Sequence, residues 1–107
     1  MSVNLLSPEH EVKKLLLGLA ETARARSVLA LPDEYGQVGD DYMKYALQMV
    51  VDGFPPEQLE RVLEMNRERI CEKLERNFAL FNDAVLAIQK GDMKTVRNLC
   101  GDAKAGP

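Results

Sequence analysis

His10 is the single imidazole in this 107-residue chain, and Cys71 and Cys100 are its two thiols. A zinc site or an activated nucleophile needs several such groups at fixed spacing, and the sequence has neither a CxxC pair nor a second His. The thiols are therefore expected to be reduced and partly buried, and His10 to be an ordinary exposed side chain. The sequence shows no Ser/His/Asp or Cys/His arrangement and no Gly-rich phosphate loop, so the catalytic, metal and cofactor-binding sets are empty. The reading is that of a protein without enzyme activity. What remains is contact chemistry, for which Ile70, Leu74, Phe78, Phe81, Val85 and Ile88 form one candidate set.

Composition narrows the partners. Apolar residues make up 46% of the chain and charged residues 29%, with a net charge of -3. The signs are interspersed, which argues against a nucleic-acid footprint or a polybasic membrane patch. A helix-turn-helix at Met43 to Arg69 around Gly53 would need EQLERVLEMNRER as its recognition helix, and that segment carries about as many acids as bases, which opposes phosphate binding. No apolar run approaches the ~20 residues of a membrane-spanning helix, and the N-terminus has no basic stretch ahead of a long apolar core. A cytoplasmic protein without membrane insertion is expected.

The contact residues must be held by helices, because apolar residues recur three and four apart throughout. Ser7-Pro8 reads as a helix start with Ser7 as the cap. Val12, Leu15, Leu16, Leu19, Ala20 and Ala23 continue the pattern toward Leu31, where Pro32 should stop it. Residues 32–39 read as a turn-rich connection, and Asp40 or Asp41 can cap a second helix closed by Gly53. Pro56 opens a third helix with no breaker before Gly91, which at 1.5 Å per residue extends for about 50 Å. Asp92 can cap a short last helix ending at Gly101. The expected fold is all-α: one small helical domain over 1–101, with a long third helix at about 56–90, a short terminal helix and a flexible tail at 102–107.

Along the third helix, Leu63, Ile70, Leu74, Phe81, Ala84 and Ile88 approximate a seven-residue repeat, with Arg67 and Asn77 on the same seam. The helices available are too short to cover it, so a homo-oligomer built on Ile70, Leu74, Phe78, Phe81, Val85 and Ile88 is expected. Tyr42, Tyr45, Phe54, Phe78 and Phe81 read as core or seam anchors, and Met43, Met49 and Met65 as gap-filling core.

Two blocks carry a family resemblance. The first is LAETARARSVLAL, Leu19 to Leu31, and the second LQMVVDGFPPEQLERVLE, Leu47 to Glu64. Together they resemble the cytoplasmic region of the MotA family, stator subunits of the bacterial flagellar motor, over about residues 12–68. The resemblance implies a motility-related binding or scaffold protein whose first helix presents charge to the rotor switch protein FliG or to stator subunits. The family's key Arg falls on Arg24, with Ser27 where the family has Gly. Its key acid falls on Pro32, followed by Asp33 and Glu34, so the family's charge pair is not present intact. Arg24, Arg26, Asp33 and Glu34 are the partner-binding candidates, against a plain solvated face with Glu21 and Arg24 as a weak pair. Without membrane helices, ion conduction is not expected of this chain. The alternative is a helical oligomeric adaptor or chaperone unrelated to torque.

Overall fold

Two acids in the first turn and two bases in the last, Glu9 and Glu11 against Arg24 and Arg26, suit the dipole of a helix between them. In the computed structural model, which describes residues 2–101, that helix is α1, Glu9–Arg26. Pro8 holds the position before it in extended geometry, and no side chain caps the helix. Ser7, expected as the cap, instead accepts a hydrogen bond from the Asn4 N–H at 3.0 Å.

The expected continuation to Leu31 does not occur. Ser27 breaks the helix at φ 96°, ψ 163°, a region that residues other than glycine enter only under strain. Its Oγ accepts a hydrogen bond from the Leu29 N–H at 3.1 Å, a local bond that competes with continued helix. At 100° per residue a continued helix would turn Leu31 roughly 120° away from Leu19. The break brings Leu31 back among the buried residues, in one cluster with Leu15, Leu19 and Val38.

Residues 28–37, expected as helix end and turn, form a 3-10 helix, Val28–Gln37, with Pro32 inside it. Pro32 is therefore not the terminator of α1. Val38 then makes an isolated parallel bridge with Val3. Val3 donates to the Gln37 carbonyl at 2.8 Å and accepts from the Gly39 N–H at 2.7 Å.

Later boundaries match the sequence signals. Asp40 caps α2, Asp41–Val51, by accepting from the Met43 N–H, and its second oxygen accepts from the Leu5 N–H at 3.3 Å. The long helix α3 spans Pro56–Gln89. Asp92 caps α4, Met93–Leu99, by accepting from the Thr95 N–H. α2 and α3 end alike: Gly53 and Gly91 have φ of 81° and 74°. Phe54 donates back to Met49 and Asp92 back to Ala87. That is the six-to-one bond of a Schellman ending, whose left-handed residue glycine adopts without a Cβ penalty. The expected tail at 102–107 lies outside the described residues.

The described residues fall into two compact units divided between Asn66 and Arg67. In the first, Leu15, Leu19, Leu31 and Val38 are packed by Val3, Ala23, Tyr35, Met43, Leu47, Val50 and Val51. The 3-10 helix packs against both α1 and α2. Met49 is buried as expected, but Met65 and Tyr45 are exposed. In the second unit Ala87 alone among the described residues is buried. Cys71 and Cys100 are free thiols, and both are exposed rather than partly buried.

Candidate partner-binding surface

The four charged candidates sit where α1 gives way to the 3-10 helix. A chain that turns sharply at Ser27 brings position 33 back beside position 26, and Arg26 forms an ion pair with Asp33 at 2.7 Å. Arg24 does not join them. It donates through Nε at 3.3 Å, and through a terminal nitrogen, to the two oxygens of Glu21. Glu34 accepts from the Gln37 amide at 3.3 Å. The structure thus unites two of the four candidates, and the pair of Glu21 with Arg24 is the one the plain reading of this face anticipates. The side chains of Arg24, Arg26 and Asp33 are more than half exposed. Pairs in that setting contribute little to folding, and their charge is available for recognition.

The seam residues lie elsewhere, on the part of α3 beyond Arg67. Ile70, Leu74, Phe78, Phe81, Val85 and Ile88 range from 38% exposed at Ile70 to 66% at Phe81. Phe78 and Phe81 are thus exposed and not part of the core. An apolar row this long is unusual on an isolated surface.

Two features were not anticipated from the sequence. An apolar cavity of about 230 Å³ in the first unit is lined by α1 residues including Leu15 and Leu19, by α2 residues including Met43 and Leu47, and by Leu5. A hydrogen-bond chain also ties the 3-10 helix to α2: the Tyr35 hydroxyl donates to Gln48 Oε1 at 3.0 Å, and Gln48 Nε2 donates to Asp52 at 2.9 Å. Burial, and then the negative charge of Asp52, raise the Tyr35 pKa. The four-residue spacing of Gln48 and Asp52 was the available signal for half of it. His10 is exposed beside Glu11. Among the described residues no three His, Cys, Asp or Glu side chains cluster as a metal site would require. No helix of the described residues is long and apolar enough to cross a membrane.

Comparison with known proteins gives a consistent result. No protein-family model matches the chain, and no solved structure matches it. It is 33% identical over 94 residues to Motility protein A of Treponema phagedenis and 31% identical over 94 residues to that of Treponema pallidum. Each match covers 87% of this chain and 36% of the relative. Motility protein A of Borreliella burgdorferi is 35% identical over 60 residues, 56% of this chain and 23% of the relative. The Treponema matches are longer than the stretch from Val12 to Glu68, so they take in α3 beyond Glu68 as well as the two blocks. The chain spans about a third of the length of those relatives, and within that span it is a sequence relative of the Motility protein A family.

Proposed function

We propose that the chain is a motility-related, non-catalytic protein-interaction module that works in the cytoplasm. The observation that carries this reading is the similarity to Motility protein A over most of the chain. Arg24, Arg26, Asp33 and Glu34 form its recognition edge. The partner is a motor protein, the rotor switch protein FliG or a stator subunit, met through charge. Mutual pairing supports this role: Arg26 with Asp33 holds both groups at the end of α1 in a defined geometry. A partner that exchanges these pairs for its own gains orientation and encounter rate more than raw affinity. The exposed row from Ile70 to Ile88 supports self-association, and equally favours the second reading, an oligomeric helical adaptor or chaperone outside the motor.

The test is capture of FliG or a stator subunit from a flagellated host with the folded chain as bait. Arg24→Glu and Arg26→Glu should each reduce capture at least several-fold with little change in melting temperature, while Pro32→Glu restores an acid at the family's position and should strengthen it. Unchanged capture in all three places the interface elsewhere. A deletion strain that swims normally overturns the motility reading in favour of the adaptor.

A further inference from the structure

The row from Ile70 to Ile88 is uncovered, each of its six large apolar side chains being more than a third exposed. We propose that it is covered by the same row of a second copy running antiparallel, in one register: Ile70 opposite Ile88, Leu74 opposite Ala84, and Asn77 opposite Phe81. This rests on the self-association proposed above and adds its direction and alignment.

Side-chain size along the seam sets the direction. On the seven-residue repeat, Arg67, Leu74, Phe81 and Ile88 occupy one seam position and Ile70, Asn77 and Ala84 the other. Two parallel helices in register would oppose like with like. That stacks Arg67 on Arg67, crowds Phe81 against Phe81 and leaves a void between two Ala84 methyls. Both overfilled and underfilled layers destabilise. An antiparallel pair opposes the first position with the second, so Leu74 meets Ala84 and Phe81 meets Asn77, large against small in each case.

Register follows from Arg67. Sliding the antiparallel pair by one heptad in the direction that lengthens the overlap brings Arg67 into the seam against Ala84 and sets Leu74 on Asn77. In the proposed register Arg67 falls opposite Gly91, past the end of α3 at Gln89. The two-fold axis then passes near Ala79, where Phe78 meets Phe78 on one flank and Leu80 meets Leu80 on the other. Both residues are exposed, and this pairing buries both.

Charge does not oppose the arrangement. At 100° per residue, Glu68, Arg69, Glu72, Glu75, Arg76 and Asp83 all lie at least about 120° from Phe81, outside the seam, while Lys73, about 80° away, flanks it level with Val85, where its stem can pack on the seam and its ammonium reach water. Antiparallel helices also set their dipoles head to tail. The overlap is about 28 Å long. With side chains from both copies it removes on the order of 1,000 Å² from water, the lower edge of a specific interface.

Oxidative cross-linking decides between the directions. In the full chain with Cys71→Ser and Cys100→Ser, one protein carries Leu74→Cys and another Ala84→Cys. Antiparallel pairing puts these two positions face to face across copies, and separates each from its own counterpart by about 15 Å along the axis, too far for a disulfide. Mixing the two proteins should therefore yield disulfide-linked dimer at least several-fold above either alone. Dimer formation by each protein alone, and not in the mixture beyond that level, makes the pair parallel and overturns the proposal. If light scattering of the unmutated chain reports dimers and no cross-link forms, the register is wrong while self-association stands. A single-chain mass at high micromolar concentration overturns both.

Discussion

Both units of this chain expose large apolar side chains, but only the first also builds a buried core. In the first unit, Leu15, Leu19, Ala30, Leu31, Val38 and Met49 are all buried, because a break at Ser27 folds one short element onto two others. In the second, six large apolar side chains line α3 and remain exposed, and Ala87 is the only buried residue described. The difference is one of connection length. Short elements joined by turns can face each other, whereas within the second unit the long helix has only the short α4 to pack on. A buried core supplies stability to the chain that owns it, and an exposed row supplies it only to an assembly.

The contrast can be broken most directly in the core. Leu19→Ala removes a buried side chain in the first unit and should cost about 2–5 kcal/mol in chemical denaturation. Leu74→Ala, measured where the chain is dilute and single, should cost well under half as much. Equal losses would mean that the seam is already covered within one molecule.

Next in size is Leu74→Asp combined with Phe81→Asp. Burying an apolar side chain of this kind contributes roughly 1.5–3 kcal/mol before ordering costs. Two charges in the seam should therefore reduce the mass seen by light scattering to a single chain. The unfolding midpoint of the first unit should hardly move. An unchanged mass would remove the seam as an interface.

The helix caps of the two units differ in the same sense. The Asp40 carboxylate accepts from Met43 and Leu5, tying α2 to the N-terminal segment, so Asp40→Ala should cost about 1–2 kcal/mol. Asp92→Ala should loosen α4 alone, with a smaller effect on global stability. Hydrogen bonds from Thr95 hold the Asp92 carboxyl below its ordinary range. A depressed folded-state value means the cap's contribution is present above the unfolded carboxylate range and lost as pH falls through the folded value. Acid titration followed by circular dichroism should show this as fraying at α4.

The smallest effect is at Ser27. Ser27→Gly relieves a positive φ, at the cost of one exposed hydrogen bond and some chain entropy, and should raise stability by about 1 kcal/mol. Ser27→Ala keeps the strain, loses the bond to Leu29, and should lower it. A fall with Gly would mean the Oγ contact outweighs the backbone strain.

Physical cause explains which parts of this architecture were legible from sequence. α2, α3 and α4 are bounded by local chemistry, Asp40 and Asp92 as caps and Gly53 and Gly91 as left-handed ends, so their limits could be read within a residue or two. The end of α1 could not, because the residue there is Ser and the decisive force is tertiary: Leu31 has to rejoin Leu15 and Leu19. The glycine that the related family places at that position was the usable clue. At the charged edge, the pair of Glu21 with Arg24 was legible from its three-residue spacing, while Arg26 with Asp33 depends on the turn between them. The link from Tyr35 through Gln48 likewise needs the 3-10 helix in place before the residues can meet.

The placement of the aromatic residues determines what each optical signal reports. The chain has no Trp, and its three tyrosines, Tyr35, Tyr42 and Tyr45, all fall in the first unit. Phe78 and Phe81 are the only aromatic side chains beyond Arg67. Tyrosine emission is therefore a built-in reporter of the first unit alone, and most directly of the half-buried link between Tyr35 and Gln48, while far-ultraviolet dichroism weights the long helix. If the two melting curves separate, the chain unfolds in two steps; if dilution shifts the dichroism curve and leaves the emission curve in place, the concentration-dependent step belongs to the helix that carries the uncovered row.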